Sequence, residues 1–196
     1  MTAKRAAGKI KTVAIVDFHR LSESQLSHAA QVLRDALAHL PSGYDDVREA
    51  EAEVALRRQA GDWLGYAALE GERVVGFVGA IKAYSHGWEI HPLVVAPDRQ
   101  RRGIGSALLA RLEVRARSDG VLTLFLGSDD DYGGSTLFGR DLWPDVLAYA
   151  GSVEATGRGH ALTFYQQHGY QIVGLLPDVD GPGRHDILMA KRLQRH

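Results

Sequence analysis

Three short stretches carry residue types that could do chemistry. The first, QRRGIGSALL from Gln100 to Leu109, follows an apolar run ending in VVAPD and leads into a helical pattern. Glycines at 103 and 105 let the backbone approach a ligand closely, and a helix N-terminus offers unpaired N–H groups to an anion. The amides of Arg101, Arg102, Gly103, Ile104, Gly105 and Ser106 would converge on one spot. Flanking arginines would add charge-assisted bonds to phosphate oxygens, so the expected ligand is a pyrophosphate; the alternative is a plain strand-to-helix turn. A dinucleotide fingerprint is excluded because Leu108 stands at its third glycine, and no Gly-Lys-Ser/Thr marks a P-loop. The second stretch, GWEIHPLVV, sets Glu89 and His91 two apart in a strand and hence on one face. They are a candidate base and its partner, or a polar pair on an exposed strand. The third places Asp129, Asp130 and Asp131 after an apolar strand, where ligand loops collect, with Asp186 in the later strand HDILMAK and Asp178 near that strand's partner. These carboxylates suit a cationic ligand, against a solvated acidic turn.

These stretches must be held by regular elements. TVAIVDF (Thr12 to Phe18) alternates like a strand, and Ser22 with Gln25 forms a capping-box pattern that predicts a helix stopping at Pro41. DDVREAEAEVALRRQA predicts a second, more polar helix. Residues 63–84 read as a hairpin turning at Gly71, and 87–97 as another strand. A helix from Gly105 closes at Gly120, and VLTLFLG forms a buried strand ending at Gly127. Residues 128–159 are irregular around a helix at Leu142 to Ala150. A short helix at HALTFYQQHGY and strands at QIVGLLP and HDILMAKRL complete the chain. Hairpins first and alternating elements later imply a mixed α/β (α+β) sheet with helices on both faces.

Hydrophobic residues at 45% and charged residues at 24% match a soluble domain with a sizeable core, and no repeat or linker divides it. The expected organisation is a flexible basic tail over residues 1–10 and a single domain over 11–196. With no cysteine, thiolate metal sites and disulfides are excluded, and no histidine pair suggests a metal site. The basic N-terminus lacks an apolar segment to make it a secretory signal, and no apolar run reaches membrane-spanning length. A cytoplasmic location is the expectation. The net charge of −1 gives no sign of a nucleic-acid partner, but the distribution is polar. Between residues 99 and 117 six arginines face Glu113, and between 128 and 145 five aspartates face Arg140, as if for two ligands of opposite charge.

VVAPDRQRRGIGSALL resembles the acetyl-CoA motif Gln/Arg-x-x-Gly-x-Gly/Ala of the GNAT N-acetyltransferases, and ALTFYQQHGYQIVG resembles that superfamily's C-terminal motif. GWEIHPLVV, LFLGSDDDYGGSTL, FYQQHGYQIVGLLPD and DILMAKRL are similar to aminoglycoside 6′-N-acetyltransferases of the enterococcal chromosomal type. The likeness covers Gly76 to Leu193. It implies a central mixed, mostly antiparallel sheet flanked by helices, acetyl-CoA as co-substrate without a metal, and a homodimer. It implies that Glu89 holds and deprotonates the acceptor amine, with His91 second and Trp88 beside them. The Leu93 N–H would face the thioester carbonyl, Val94 and Val95 would bind the pantetheine arm by strand-like backbone hydrogen bonds, and Gln100 through Ser106 would hold the pyrophosphate. Tyr165 would protonate the leaving thiolate, with His168 near the coenzyme. Asp129, Asp130, Asp131 and Asp186 would bind the polycationic antibiotic. The other acceptors compatible with the superfamily are a polyamine, a small amine metabolite, or a protein lysine or N-terminus.

Overall fold

The computed structural model describes residues 13–41, 43–44, 46–130, 132–158 and 160–194, so the proposed tail and Asp131 lie outside the described residues. Strand β1 (Ala14–Asp17) leads into a 3-10 turn that drives Phe18 into the core. Helix α1 (Glu23–Leu37) starts at the expected capping box: the Gln25 N–H donates to Ser22 Oγ at 3.3 Å and the Ser22 N–H to Gln25 Oε1 at 3.0 Å. It ends short of Pro41. Helix α2 (Val47–Gln59) is capped by Asp46, and β2 (Trp63–Glu70) turns into β3 (Arg73–Ile81) through Gly71 at φ 64°. Strand β4 (Gly87–Val95) is followed by α3 (Ile104–Ser118), β5 (Thr123–Asp130), α4 (Val146–Ala150), α5 (Ala161–Gln167), β6 (Gln171–Leu176) and β7 (His185–Arg192).

The strands form one sheet in the order β1-β2-β3-β4-β5-β7-β6, antiparallel except for β4 and β5. That parallel pair holds together only from Gly87–Glu89 against Thr123–Phe125 and then parts. Between β3 and β4, Val78 lies opposite Leu93 but Ala80 opposite Ile90. His91 and Pro92 therefore share one place across from Gly79, a bulge at the proline that cannot donate to a ladder. The disruption expected at Pro92 sits here, at the mouth of the split.

Helices cover both faces. Phe18, Leu33, Trp63, Phe77 and Val94 form a core beneath α1 and α2, while Leu108, Leu112, Leu124, Tyr170 and Met189 belong to the core beneath α3. The two cores rest on period-two alternation: Trp88 and Ile90 point to the α3 side, and Val94 to the α1 side beyond the bulge. Among the described residues, no helix is long and apolar enough to cross a membrane.

Strand β5 runs past Gly127 to Asp130, because its last residues pair with β7: Ser128 with Ile187, Asp129 with Asp186 and Asp130 with His185. The acidic stretch read as a loop thus begins as a strand, and alternation sends consecutive aspartates to opposite faces. Helix α4 is shorter than the expected Leu142–Ala150, and Leu142 is fully buried before it.

Candidate active site

Where β4 leaves β5, a groove of about 650 Å³ opens between the end of β4, the start of α3 and α5. Leu93 and Val95 form one wall, and Phe164, Tyr165 and His168 the other. Val94 faces away into the α1 core at 4% exposure, so its side chain takes no part, as alternation requires. Gly103 caps α3 at φ 81° and Arg101 also has a positive φ, which brings the chain round sharply onto the helix N-terminus. The N–H groups of Ile104, Gly105 and Ser106 stand in the first turn and have no intrahelical carbonyl. A Cβ at Gly103 would meet nothing, so the loop backbone lies open to the groove, while one at Gly105 would touch the Phe164 ring at 3.5 Å. This cradle fits an anionic phosphate group. Ile104 contributes only its amide; its side chain is in the core.

Gln100 lines the groove, and its side-chain amide donates to the Val95 carbonyl at 3.1 Å and fixes the loop to the end of β4. Arg99 is tied to Glu70 through Nε at 3.0 Å, bracing the same loop from the β2–β3 hairpin. Arg102 stays exposed at the loop. Tyr165 is 7% exposed, and burial raises its hydroxyl pKa, keeping it protonated. His168 packs on Phe164 at 4.4 Å, and its Nδ1 lies 2.8 Å from the Phe164 carbonyl.

Beyond the split, the sheet face on the α1 side carries acids instead of a helix. Glu89 on β4, Asp129 on β5, Asp180 in the turn before β7 and Asp186 on β7 form one electrostatic cluster. Burial, then Asp129, Asp180 and Glu89, push the Asp186 carboxyl up to about 6 against a lowering hydrogen bond from the Ser128 backbone. Its Oδ1 is buried without a hydrogen-bond partner, as is Asp180 Oδ2. Gly127 makes this packing feasible, because a Cβ there would collide with the Asp186 carboxylate. An unmet carboxylate oxygen among like charges is the electrostatic complement of a cation.

Three expected members of this face are elsewhere. Asp130 is fully buried and accepts from the Gly134 and Ser135 amides at 2.7 and 2.8 Å, so it anchors the following loop instead of facing a ligand. Trp88, 4% exposed, points into the α3-side core, since it alternates with Glu89. Asp178 likewise serves its own turn, accepting from the Gly183 N–H at 2.8 Å. His91 does share the face of Glu89, and its Nε2 lies 3.4 Å from Glu53 Oε1 on α2, which also holds Arg57 at 2.6 Å. Glu53 and Asp180 were not legible as site residues: Glu53 reads as half of an ordinary i,i+4 helix pair.

His160 joins the two regions. Its Nδ1 accepts from the Leu162 N–H and caps α5, leaving Nε2–H to donate to the Asp129 carbonyl at 3.1 Å. Burial lowers its pKa and favours this neutral form. A second groove of about 700 Å³, between α4 and β6, is lined by Trp143, Leu147 and Leu176 and has Asp145 as its one titratable wall residue. It offers no acid–base pair. Among the described residues, no cluster of three potential metal ligands occurs.

The profile of the acetyltransferase (GNAT) family matches residues 29–135. An aminoglycoside 6′-N-acetyltransferase solved with coenzyme A is 34% identical, with a TM-score of 0.84 over 93% of this chain and 98% of that one. The aminoglycoside 6′-N-acetyltransferase from Enterococcus faecium is also 34% identical, with a TM-score of 0.82 over the same shares. An aminoglycoside 6′-acetyltransferase of type Ii is 30% identical, with a TM-score of 0.70 over 93% and 99% of the two chains. Among proteins of curated function, none matches the chain significantly in sequence.

Proposed function

The chain belongs to the GNAT acetyltransferase family, and we propose that it transfers the acetyl group of acetyl-CoA to the 6′-amine of an aminoglycoside by direct attack within a ternary complex. The observation that carries the acceptor class is Asp186, a carboxylate with an orphaned oxygen among three other acids. A compact polycation supplies a counter-charge for that oxygen and for the unmet Asp180 Oδ2. The similarity to two aminoglycoside 6′-N-acetyltransferases at 34% identity supports the position acetylated.

Acetyl-CoA supplies a thioester carbonyl open to a neutral amine. The amides of Arg101, Gly103, Ile104, Gly105 and Ser106 hold its pyrophosphate at the positive end of α3. Leu93 and Val95 flank the pantetheine arm where β4 has no β5 partner. An alkylamine with a pKa near ~10 is almost wholly protonated at neutral pH, so Glu89 accepts its proton, and His91, beside Glu53, is the second acceptor. The Leu93 N–H donates to the carbonyl oxygen where charge develops. Tyr165, kept protonated by its burial, gives a proton to the departing sulfur.

The test is release of the coenzyme A thiol with kanamycin and with paromomycin, which bears a hydroxyl at the 6′ position. Release with kanamycin alone is the expected result. Equal release with both moves the attacked amine to another ring position, and release with neither transfers the search to polyamines and protein amines.

A further inference from the structure

Trp63 opens β2, at the far edge of the α1-side core, yet its indole reaches across two strands. The ring lies over Gly65 on its own strand and over Gly79, the residue paired with Gly65 on β3. A Cβ at either glycine would collide with the indole, so both positions are emptied for it. The Trp63 Nε1–H then donates to the carbonyl of His91 on β4 at 2.7 Å, with the side chain only 2% exposed. Phe18 packs edge-on against the ring at 5.1 Å and fixes its tilt.

The acceptor is the informative part. His91 is the first residue of the bulge, where two residues of β4 stand opposite the single Gly79. Regular pairing resumes at Leu93, which lines the groove. A bulge interrupts the ladder and leaves backbone groups without strand partners, so its geometry must be fixed by something else. Here a buried N–H from a rigid side chain holds it, and the two glycines let that side chain lie flat.

We propose that Trp63 is a positioning residue for catalysis: its indole N–H sets the His91–Pro92 bulge and thereby aims the Leu93 N–H at the thioester carbonyl. The inference rests on the donor role of Leu93 given above. A displacement of about 1 Å at a reacting centre can cost on the order of 10² in rate, so loss of one hydrogen bond is enough to register.

The test compares binding of acetyl-CoA with that of S-ethyl-CoA, in which a methylene replaces the carbonyl, by isothermal titration without an acceptor. It is done on the wild-type enzyme, on Trp63→Phe, and on a protein with benzothienylalanine at position 63, which keeps the bicyclic shape and lacks the N–H. Wild type is expected to prefer acetyl-CoA about three- to tenfold, the worth of one hydrogen bond. Both variants are expected to lose that preference while binding S-ethyl-CoA as wild type does, so that acetyl-CoA binds about three- to tenfold more weakly, and to lose about 10- to 100-fold in kcat. If Trp63→Phe does not fold, the benzothienylalanine protein decides. A wild-type preference retained in that protein overturns the role of Trp63 alone. No preference in wild type overturns the Leu93 donor and the inference with it. Weakened S-ethyl-CoA binding in the benzothienylalanine protein assigns Trp63 to general packing and also overturns the proposal.

Discussion

The groove at the start of α3 draws most of its wall from one run of backbone, residues 93–106, with α5 closing the other side. The acidic face beyond the split takes one carboxylate each from β4, β5, the turn before β7, and β7. The first region presents amides whose direction is set by the helix and a left-handed glycine; the second presents side chains whose grouping is set by strand register. Backbone recognition tolerates a change of side chain but not of φ. Side-chain recognition has the opposite sensitivity: the sheet carries Asp186 regardless, and only the carboxylate gives the face its charge.

The widest separation between the regions should come from Glu89→Gln. Turnover should fall by about 10²–10³ with the Kd for acetyl-CoA unchanged, because a base is lost from the acidic side alone. Steady-state kinetics beside calorimetric titration reads both numbers, and unchanged turnover removes Glu89 from the chemistry. Gly103→Val strikes the other region, since a β-branched residue at φ 81° is strained. Acetyl-CoA should bind about 10- to 50-fold more weakly with the acceptor KM retained. Parallel losses for both substrates would mean that the two regions are one mechanical unit.

Asp186→Asn should raise the KM for a cationic acceptor about tenfold. Its folded-state pKa of about 6 lies above the ordinary 3.8, so the folded protein holds a proton that the unfolded chain releases between these values. The destabilisation grows across that window and is complete at neutral pH. The amide variant should therefore be more stable at pH 7, by about 1–2 kcal/mol once partial solvent exposure is discounted, and melt higher. Its acceptor kcat/KM should also lose the fall expected of wild type as pH drops through about 6. A lower melting temperature at neutral pH would contradict the electrostatic account. The smallest effect belongs to His160, which spans both regions. Its folded-state pKa is lowered, so the unfolded chain takes up the proton first and stability declines as pH falls below about 6.5. His160→Ala should cost about 1 kcal/mol at neutral pH, through the α5 cap, and flatten that decline in melting scans. An unaltered pH profile would assign the decline to another group.

The legible parts of this protein are those that neighbouring residues decide. Ser22 with Gln25 announces the start of α1, Gly71 the β2–β3 turn, and Gln-x-x-Gly-x-Gly the sharp entry into α3, because caps, left-handed turns and helix ends are closed within a few residues of chain. Strand alternation likewise placed Glu89 and His91 on one face without help from the rest of the molecule. The acidic site shows where that reasoning stops. Asp129 and Asp130 are adjacent and chemically identical, yet one joins the cluster and the other is buried under loop amides, since pairing of β5 with β7 extended the strand through both. Trp63 and His91 are separated by 28 positions, and Glu53 and His91 by two whole strands; only the closed sheet brings either pair together. Local conformation follows from short-range sterics and hydrogen bonding, which the sequence carries openly. Register between distant strands depends on burying both cores at once, and so it was the tertiary structure that chose which carboxylates meet and which side chain holds the bulge.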